Sequence, residues 1–151
     1  MQKHETWRKI HTQFGYLQIS SLHGKHEMVE NIRVARFLAN TLGHSIFLLA
    51  RSDYRKNADS KNVTLNIFQE YKVNKTPTKS AIDNELRDAA KQSDHIVLWI
   101  DSAISQNDLE RGIKGRTTWE KNIKEVWIIQ NSEVLMFTRS QILQSDFTLS
   151  K

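Results

Sequence analysis

Asp59 is followed, after ten intervening residues, by Glu70-Tyr71-Lys72. Side chains alternate across a strand, so Glu70 and Lys72 leave one face while Ile67, Gln69, Tyr71 and Val73 take the other. A strand about to be covered by helices gains nothing structurally from a carboxylate and an ammonium on one face, because burying either unpaired costs several kcal/mol. A hard divalent cation held by Asp59 and Glu70, with the carbonyl of Tyr71 as a further oxygen ligand, would compensate them. Mg²⁺ is the expected ion, with Mn²⁺ or Zn²⁺ as alternatives, since Mg²⁺ keeps waters and takes one or two carboxylates beside a substrate phosphate. Such an ion lowers the pKa of a bound water and stabilises charge developing on phosphate, while Lys72 orients the nucleophile or neutralises the transition state. The chemistry this set could perform is phosphodiester hydrolysis. The plainer reading is a Glu70–Lys72 surface pair on an edge strand, worth under roughly 1 kcal/mol.

Charge placement around the set points to a polyanionic substrate. From Arg51 to Lys79 there are seven Lys/Arg (51, 55, 56, 61, 72, 75, 79) against three acids (53, 59, 70), although the whole chain carries only +5. Counterion release would drive phosphate binding to such a segment while its embedded acids hold a cation. Arg51, Arg55, Lys56, Lys61, Lys75 and Lys79 are the expected nucleic-acid contacts; a solvated basic loop is the alternative.

At 151 residues a single domain with one core is expected. The absence of cysteine excludes disulfides and thiolate metal sites and fits a reducing compartment. No apolar run reaches membrane-spanning length, and Met1 to Lys9 carries charge where a signal peptide needs an apolar stretch, so a soluble, cytoplasmic chain without a membrane partner is expected. No glycine-rich phosphate loop, zinc-finger spacing or serine nucleophile elbow occurs, which leaves nucleoside-triphosphatase and esterase readings without support.

The elements that must position the set can be read in order. Phe14 to Ser20 predicts a short strand. Met28, Ile32, Ala35, Leu38, Ala39 and Leu42 recur at helical steps across residues 26–42, with Gly43 at the left-handed cap. Ser45 to Ala50 predicts a buried strand, and Asp59 to Val73 a hairpin bending near Asn62, its second arm running from Thr64. Thr76-Pro77 predicts a helix start, with proline at the first helical position after a hydroxyl cap, and the helix extends to about Ser93. A strand at His95 to Ile100, a short helix at Leu109 to Gly115, and strands at Glu125 to Gln130 and Val134 to Thr138 about a tight Asn131-Ser132 turn complete the pattern. This is α/β: a mixed sheet flanked by helices.

Helix, strand, aspartate, hairpin, ExK, helix and strand form an αβββαβ order, and on it the chain resembles the PD-(D/E)XK nuclease superfamily. More closely it resembles the CdiA-type C-terminal toxin nuclease domains of contact-dependent inhibition systems and mobile elements. The residues carrying the resemblance are Glu27-Met28-Val29-Glu30-Asn31 through Ala35, Leu38-Ala39 and Gly43; Ile46 to Leu49; Ala58-Asp59-Ser60; Gln69-Glu70-Tyr71-Lys72; and Ala89-Ala90-Lys91-Gln92-Ser93-Asp94 leading into His95 to Ile100. They span a core of about residues 15–139. Ala58 stands where the superfamily's name has proline. The resemblance implies a restriction-endonuclease-like core with extra C-terminal strands and a metal-dependent endonuclease acting on tRNA or DNA. It also implies a first-helix glutamate that completes the metal site, Glu27 or Glu30, a glutamine near the site, Gln92, and a cognate immunity protein as partner. Two rivals are a non-catalytic nucleic-acid-binding or interaction module on the same scaffold and a metal-independent tRNase.

His23 and His26, before the first helix, could approach a phosphate or simply populate a polar loop, and His95 is expected to be structural. Trp99 and Trp127 belong in strands and the core, whereas Trp7 and Trp119 sit in polar surroundings that suit stacking or partner contacts. Arg111, Lys114, Arg116, Lys121 and Lys124 are expected on a loop-rich, solvated basic face that could also meet phosphates.

Overall fold

Residues 4–51 and 57–150 are described by the computed structural model, and they divide into two units, Met1–Gln69 and Glu70–Lys151. Arg55 and Lys56, two of the expected phosphate contacts, lie outside the described residues.

The first unit contains β1 (Trp7–His11), β2 (Tyr16–Ser20), α1 (Met28–Leu42), β3 (Ser45–Leu48), β4 (Ser60–Asn62) and the opening residues of β5 (Ile67–Asn74). Strand β2 runs parallel to β3 with α1 as the crossover, and β1–β2, β3–β4 and β4–β5 pair antiparallel. On α1 the buried residues Asn31, Val34, Ala35, Leu38 and Ala39 fall three and four apart, the spacing that places them on one stripe. That stripe meets β2 and β3, where Leu17 pairs with Ile46 and Ile19 with Leu48, all four buried. Each such leucine or isoleucine contributes about 1.5–3 kcal/mol through burial. Gly43 ends the helix at φ 71°, its N–H donating to the Ala39 carbonyl, a conformation that carries a steric cost for any residue with a Cβ.

Three expectations shift here. The strand expected from Phe14 starts at Tyr16, because Phe14 stands 65% exposed in the preceding turn. The β4–β5 bend occupies residues 63–66, so the second arm begins at Ile67 and not Thr64. Asn66 takes φ 57° there, a left-handed position asparagine tolerates. Strand β1 was not anticipated: its burial pattern is almost entirely exposed, which leaves no alternation to read.

The second unit continues β5 into α2 (Lys79–Ala90), β6 (His95–Ile100), α3 (Gln106–Trp119), β7 (Glu125–Gln130), β8 (Glu133–Thr138) and α4 (Arg139–Ile142). Strands β5, β6 and β7 are parallel, and β8 closes antiparallel on β7. The core joins Ile82, Leu86 and Ala89 of α2 to Ile96 and Leu98 of β6, Ile113 of α3 and Ile128 of β7. Helices α2 and α3 approach closely because position 112 is glycine; a Cβ there would lie 2.8 Å from both Cβ and Cγ2 of Ile82. Across the same contact Arg116 grips Asp83 with two bonds, Nε–Oδ1 at 2.9 Å and Nη2–Oδ2 at 3.0 Å. Asn131 and Ser132 both carry positive φ, 53° and 62°, the type I′ combination whose twist matches a hairpin.

Two helix boundaries differ from expectation. Thr78, not Thr76, caps α2, its hydroxyl accepting from Ala81 N–H, so Pro77 precedes the cap and is not the first helical residue. Helix α3 runs from Gln106 to Trp119, well beyond Leu109 to Gly115, because Ser105 accepts from Asp108 N–H and starts it early. Strands neighbour one another in chain order, β1 to β5 in the first ladder and β5 to β8 in the second, mixed in direction and flanked by helices. Among the described residues no helix is long and apolar enough to cross a membrane.

Candidate active site

Strand β4 and its turn are fixed by side chains as well as by the ladder. The carbonyl of Asp59 accepts from Leu49 N–H at 2.9 Å, which sets the residue at the mouth of β4. Ser60 Oγ donates to the Gln69 carbonyl at 3.0 Å. Asn62, fully buried, accepts from Leu65 N–H at 3.0 Å and donates to His44 Nδ1 at 2.9 Å. Burial holds His44 below the ordinary histidine pKa, in keeping with a neutral ring that accepts. The β4 ladder ends where Ser60 partners Gln69; Asp59 and Glu70 are the chain neighbours of that pair.

Along β5 the parallel partners of Glu70, Lys72 and Asn74 are Ile96, Leu98 and Ile100. Glu70 is only 6% exposed and Tyr71 only 4%, while Lys72 is half-buried. A carboxylate so covered departs from the plainer reading of a surface pair on an edge strand. The donors expected of Asp59, Glu70 and the Tyr71 backbone are all oxygens, which would suit Mg²⁺ or Mn²⁺ and differ from a cysteine–histidine zinc set.

Among the described residues no three His, Asp or Glu side chains come together so as to hold a metal ion. Glu27 stands at the start of α1 without capping it; its carboxylate turns back over Gly24 and pairs with Arg51 at 3.6 Å. Glu30 occupies the first turn of α1, half-buried. Gln92 is exposed just past α2, its N–H donating to the Ala89 carbonyl at 2.9 Å.

Lys75 and Lys79 are exposed, and Lys61 lies over the Phe68 ring at 5.3 Å. Arg116, expected on a loop-rich face, instead sits on a helix with its side chain 20% exposed and bound to Asp83 and Glu120. Lys114 donates to the Gln144 carbonyl at 2.6 Å and Lys124 pairs with Asp94 at 3.1 Å. Trp127 is 1% exposed and Trp119 is 80% exposed, as expected of core and surface tryptophans; Trp7 packs its ring against Phe47 at 5.4 Å. His95 reaches Glu125 at 3.4 Å and Asp94 at 3.7 Å, a structural setting. His23 departs from the phosphate-contact expectation: it is 5% exposed. Its Nδ1 donates to the Leu49 carbonyl at 2.6 Å, and its Nε2 accepts from Asn31 Nδ2 at 3.0 Å.

Two residues beside the set were missed. Asn74 continues the Glu70–Lys72 alternation by one step and is fully buried. Glu85 of α2 accepts from Asn74 Nδ2 through both oxygens at 3.1 Å. Burial pushes the Glu85 carboxyl above the usual carboxylate range, against the lowering pull of the Asn74 bonds and the Lys72 ammonium. The Glu-x-Lys-x-Asn repeat was the available signal for Asn74; nothing in the sequence marks Glu85.

No protein-family model matches the chain, and no curated protein does. Among solved structures the chain is similar to one described as the CdiA-CT/CdiI toxin and immunity complex from Burkholderia pseudomallei, with a TM-score of 0.56 and 17% identity. The match covers 75% of this chain and 85% of that one, so the likeness is one of fold.

Proposed function

We propose that this chain is a toxin-like, divalent-metal-dependent endonuclease of the PD-(D/E)XK kind, hydrolysing phosphodiester bonds of tRNA or DNA. The observation that supports the reading is on β5: Glu70, only 6% exposed, stands two residues before the half-buried Lys72, the spacing that puts both on one strand face. The succession α1, β3, β4, β5, α2, β6 supports a restriction-endonuclease-like core, with β7 and β8 as additional C-terminal strands. The fold likeness to a structure containing both a toxin and its immunity protein supports an immunity protein as partner.

In this reading Asp59, Glu70 and the Tyr71 carbonyl hold Mg²⁺ or Mn²⁺, which when bound supplies water activation and charge neutralisation at phosphate. Lys72, beside Glu70 on the strand, holds its ammonium toward the attacking water or a non-bridging phosphate oxygen and offsets charge that grows in the transition state. Lys61, Lys75 and Lys79 contact the nucleic-acid backbone, so affinity falls as salt rises.

The test is incubation of the purified chain with plasmid, single-stranded DNA and total tRNA, each with Mg²⁺, Mn²⁺, Zn²⁺ or chelator. Cleavage is expected with Mg²⁺ or Mn²⁺, abolished by chelator and by each of Asp59→Ala, Glu70→Ala and Lys72→Ala, with thermal unfolding of the variants unchanged or improved. Cleavage in chelator, or in Glu70→Ala, would refute the metal mechanism and favour the metal-independent tRNase. Salt-sensitive binding with no product under any condition would identify a binding module.

A further inference from the structure

Strand register brings five side chains of the first unit into one row across its ladder. Lys9 of β1 stands opposite Gln18 of β2, Gln18 beside Phe47 of β3, Phe47 opposite Lys61 of β4, and Lys61 opposite Phe68 of β5. The row spans about 19 Å at ordinary strand separation. It lies on the face away from α1, because Leu17, Ile19, Ile46 and Leu48, buried where α1 meets β2 and β3, alternate with Gln18 and Phe47. Two more rings border it. Trp7 packs on Phe47 with centroids 5.4 Å apart, and Tyr16 lies under the Lys9 ammonium, 4.1 Å from the ring centroid.

This face is open to solvent and its strand charges have one sign. Trp7 is 41% exposed and Phe68 52%, Lys9 is exposed, and Phe47 and Lys61 are half-buried. None of the residues of β1 to β4, nor of β5 as far as Phe68, is an acid. Glu5, just before β1, accepts from Ser20 Oγ at 2.6 Å. The strand preference of aromatic residues accounts for the rings, but not for the cations. Opposite charges across a ladder are the stabilising arrangement, yet Lys9 faces glutamine and Lys61 faces phenylalanine on both sides. A phosphate backbone complements those lysines, and unpaired bases offer π-faces to the rings. Cation and ring alternate along the row as phosphate and base alternate along a strand, a pattern that an acidic protein surface does not share.

We propose that this sheet face is a stacking platform for single-stranded nucleic acid, in which Trp7, Phe47 and Phe68 take bases while Lys9 and Lys61 take the phosphates between them. The proposal rests on the nucleic-acid part of the nuclease reading and deepens it to unpaired strands, with a test that needs no turnover.

The test is fluorescence anisotropy of the full chain, in chelator so that metal-dependent cleavage is stopped. The probes are labelled oligodeoxythymidylate and oligouridylate of about twelve nucleotides, within the site sizes of single-strand binders, a duplex of the same length, and an abasic strand. At least one of the two single strands is expected to bind roughly tenfold tighter than the duplex or the abasic strand, the scale of one stacked base. Phe68→Leu, which keeps apolar cover and removes the ring, and Trp7→Ala should each weaken that binding roughly tenfold while leaving the abasic strand unaffected. Lys9→Gln and Lys61→Gln should each lower the slope of log affinity against log salt by about 0.7. Thermal midpoints equal to the parent's show that the fold is kept, and Phe68→Leu carries the test if Trp7→Ala does not fold. Equal affinity for abasic and base-bearing strands, or ring variants that bind as the parent does, would overturn the platform even if the lysines matter. A chain that binds unpaired strands through its rings but cuts nothing with Mg²⁺ or Mn²⁺ keeps the platform and removes the nuclease reading. A chain that cuts, with binding indifferent to the rings, removes the platform alone.

Discussion

Replacing Asp83 with alanine should loosen the contact between α2 and α3 by an amount that can be worked out from its geometry. Asp83 and Arg116 share two charge-assisted bonds at 2.9 and 3.0 Å, with side chains 31% and 20% exposed. Hydrogen bonds to charged groups contribute about 1.5–3 kcal/mol, whereas a fully exposed pair is worth about 0–1 kcal/mol. Glu120 keeps part of the guanidinium occupied at 3.3 Å, so Arg116 is not left wholly unpaired. The expected loss for Asp83→Ala is about 2 kcal/mol at pH 7, or roughly 4–8 °C in Tm for a chain of this length. The Arg116 hydrogen bond and charge hold the Asp83 carboxyl below the ordinary aspartate range, outweighing burial. A depressed carboxyl contributes stability that is complete above the unfolded value of about 3.9 and is lost as pH falls through the folded one. The gap between parent and Asp83→Asn should therefore be constant at neutral pH and narrow below about pH 4. Urea unfolding across pH 2.5–7 (roughly the span over which carboxylates titrate), with an Arg116→Met double-mutant cycle, measures it. A loss under about 0.5 kcal/mol, or a gap indifferent to acid, would refute the clamp.

Two further perturbations probe the scaffold. Gly112→Ala drives a methyl to 2.8 Å from Ile82; despite alanine's helix preference it should destabilise by about 1–3 kcal/mol, read as a lower urea midpoint with unchanged slope. Ser132→Gly relieves a left-handed residue at φ 62° in the β7–β8 turn and should stabilise by about 0.5–1 kcal/mol, read as a higher Tm.

Legibility in the sequence tracked burial. Helix α1 was readable because a single apolar stripe must face the sheet, and β6 and β7 because residues such as Val97 and Ile128, fully buried, leave near-continuous apolar runs. The Asn131-Ser132 turn announced itself by its asparagine, a residue that tolerates positive φ. Strand β1 was silent because its exposed residues are free to be Trp, Arg or Lys alike. Pro77 misled because the neighbouring threonines at 76 and 78 offer the same hydroxyl, and only tertiary geometry chooses Thr78. In the candidate site, Glu70 and Lys72 were visible through strand alternation within β5. Arg116 was misread as solvated because its partner Asp83 lies 33 positions away, beyond any local pattern.

The buried ring of His23 ties together stretches that are remote in the chain: the loop after β2, the end of β3 through Leu49, and α1 through Asn31. Arg51 N–H also donates to the Leu22 carbonyl at 3.0 Å, and its guanidinium meets Glu27. These links make residues 21–27 and 49–51 a single opening unit, since releasing one strands the donors and acceptors of the other. Their amide protons should exchange with solvent in concert.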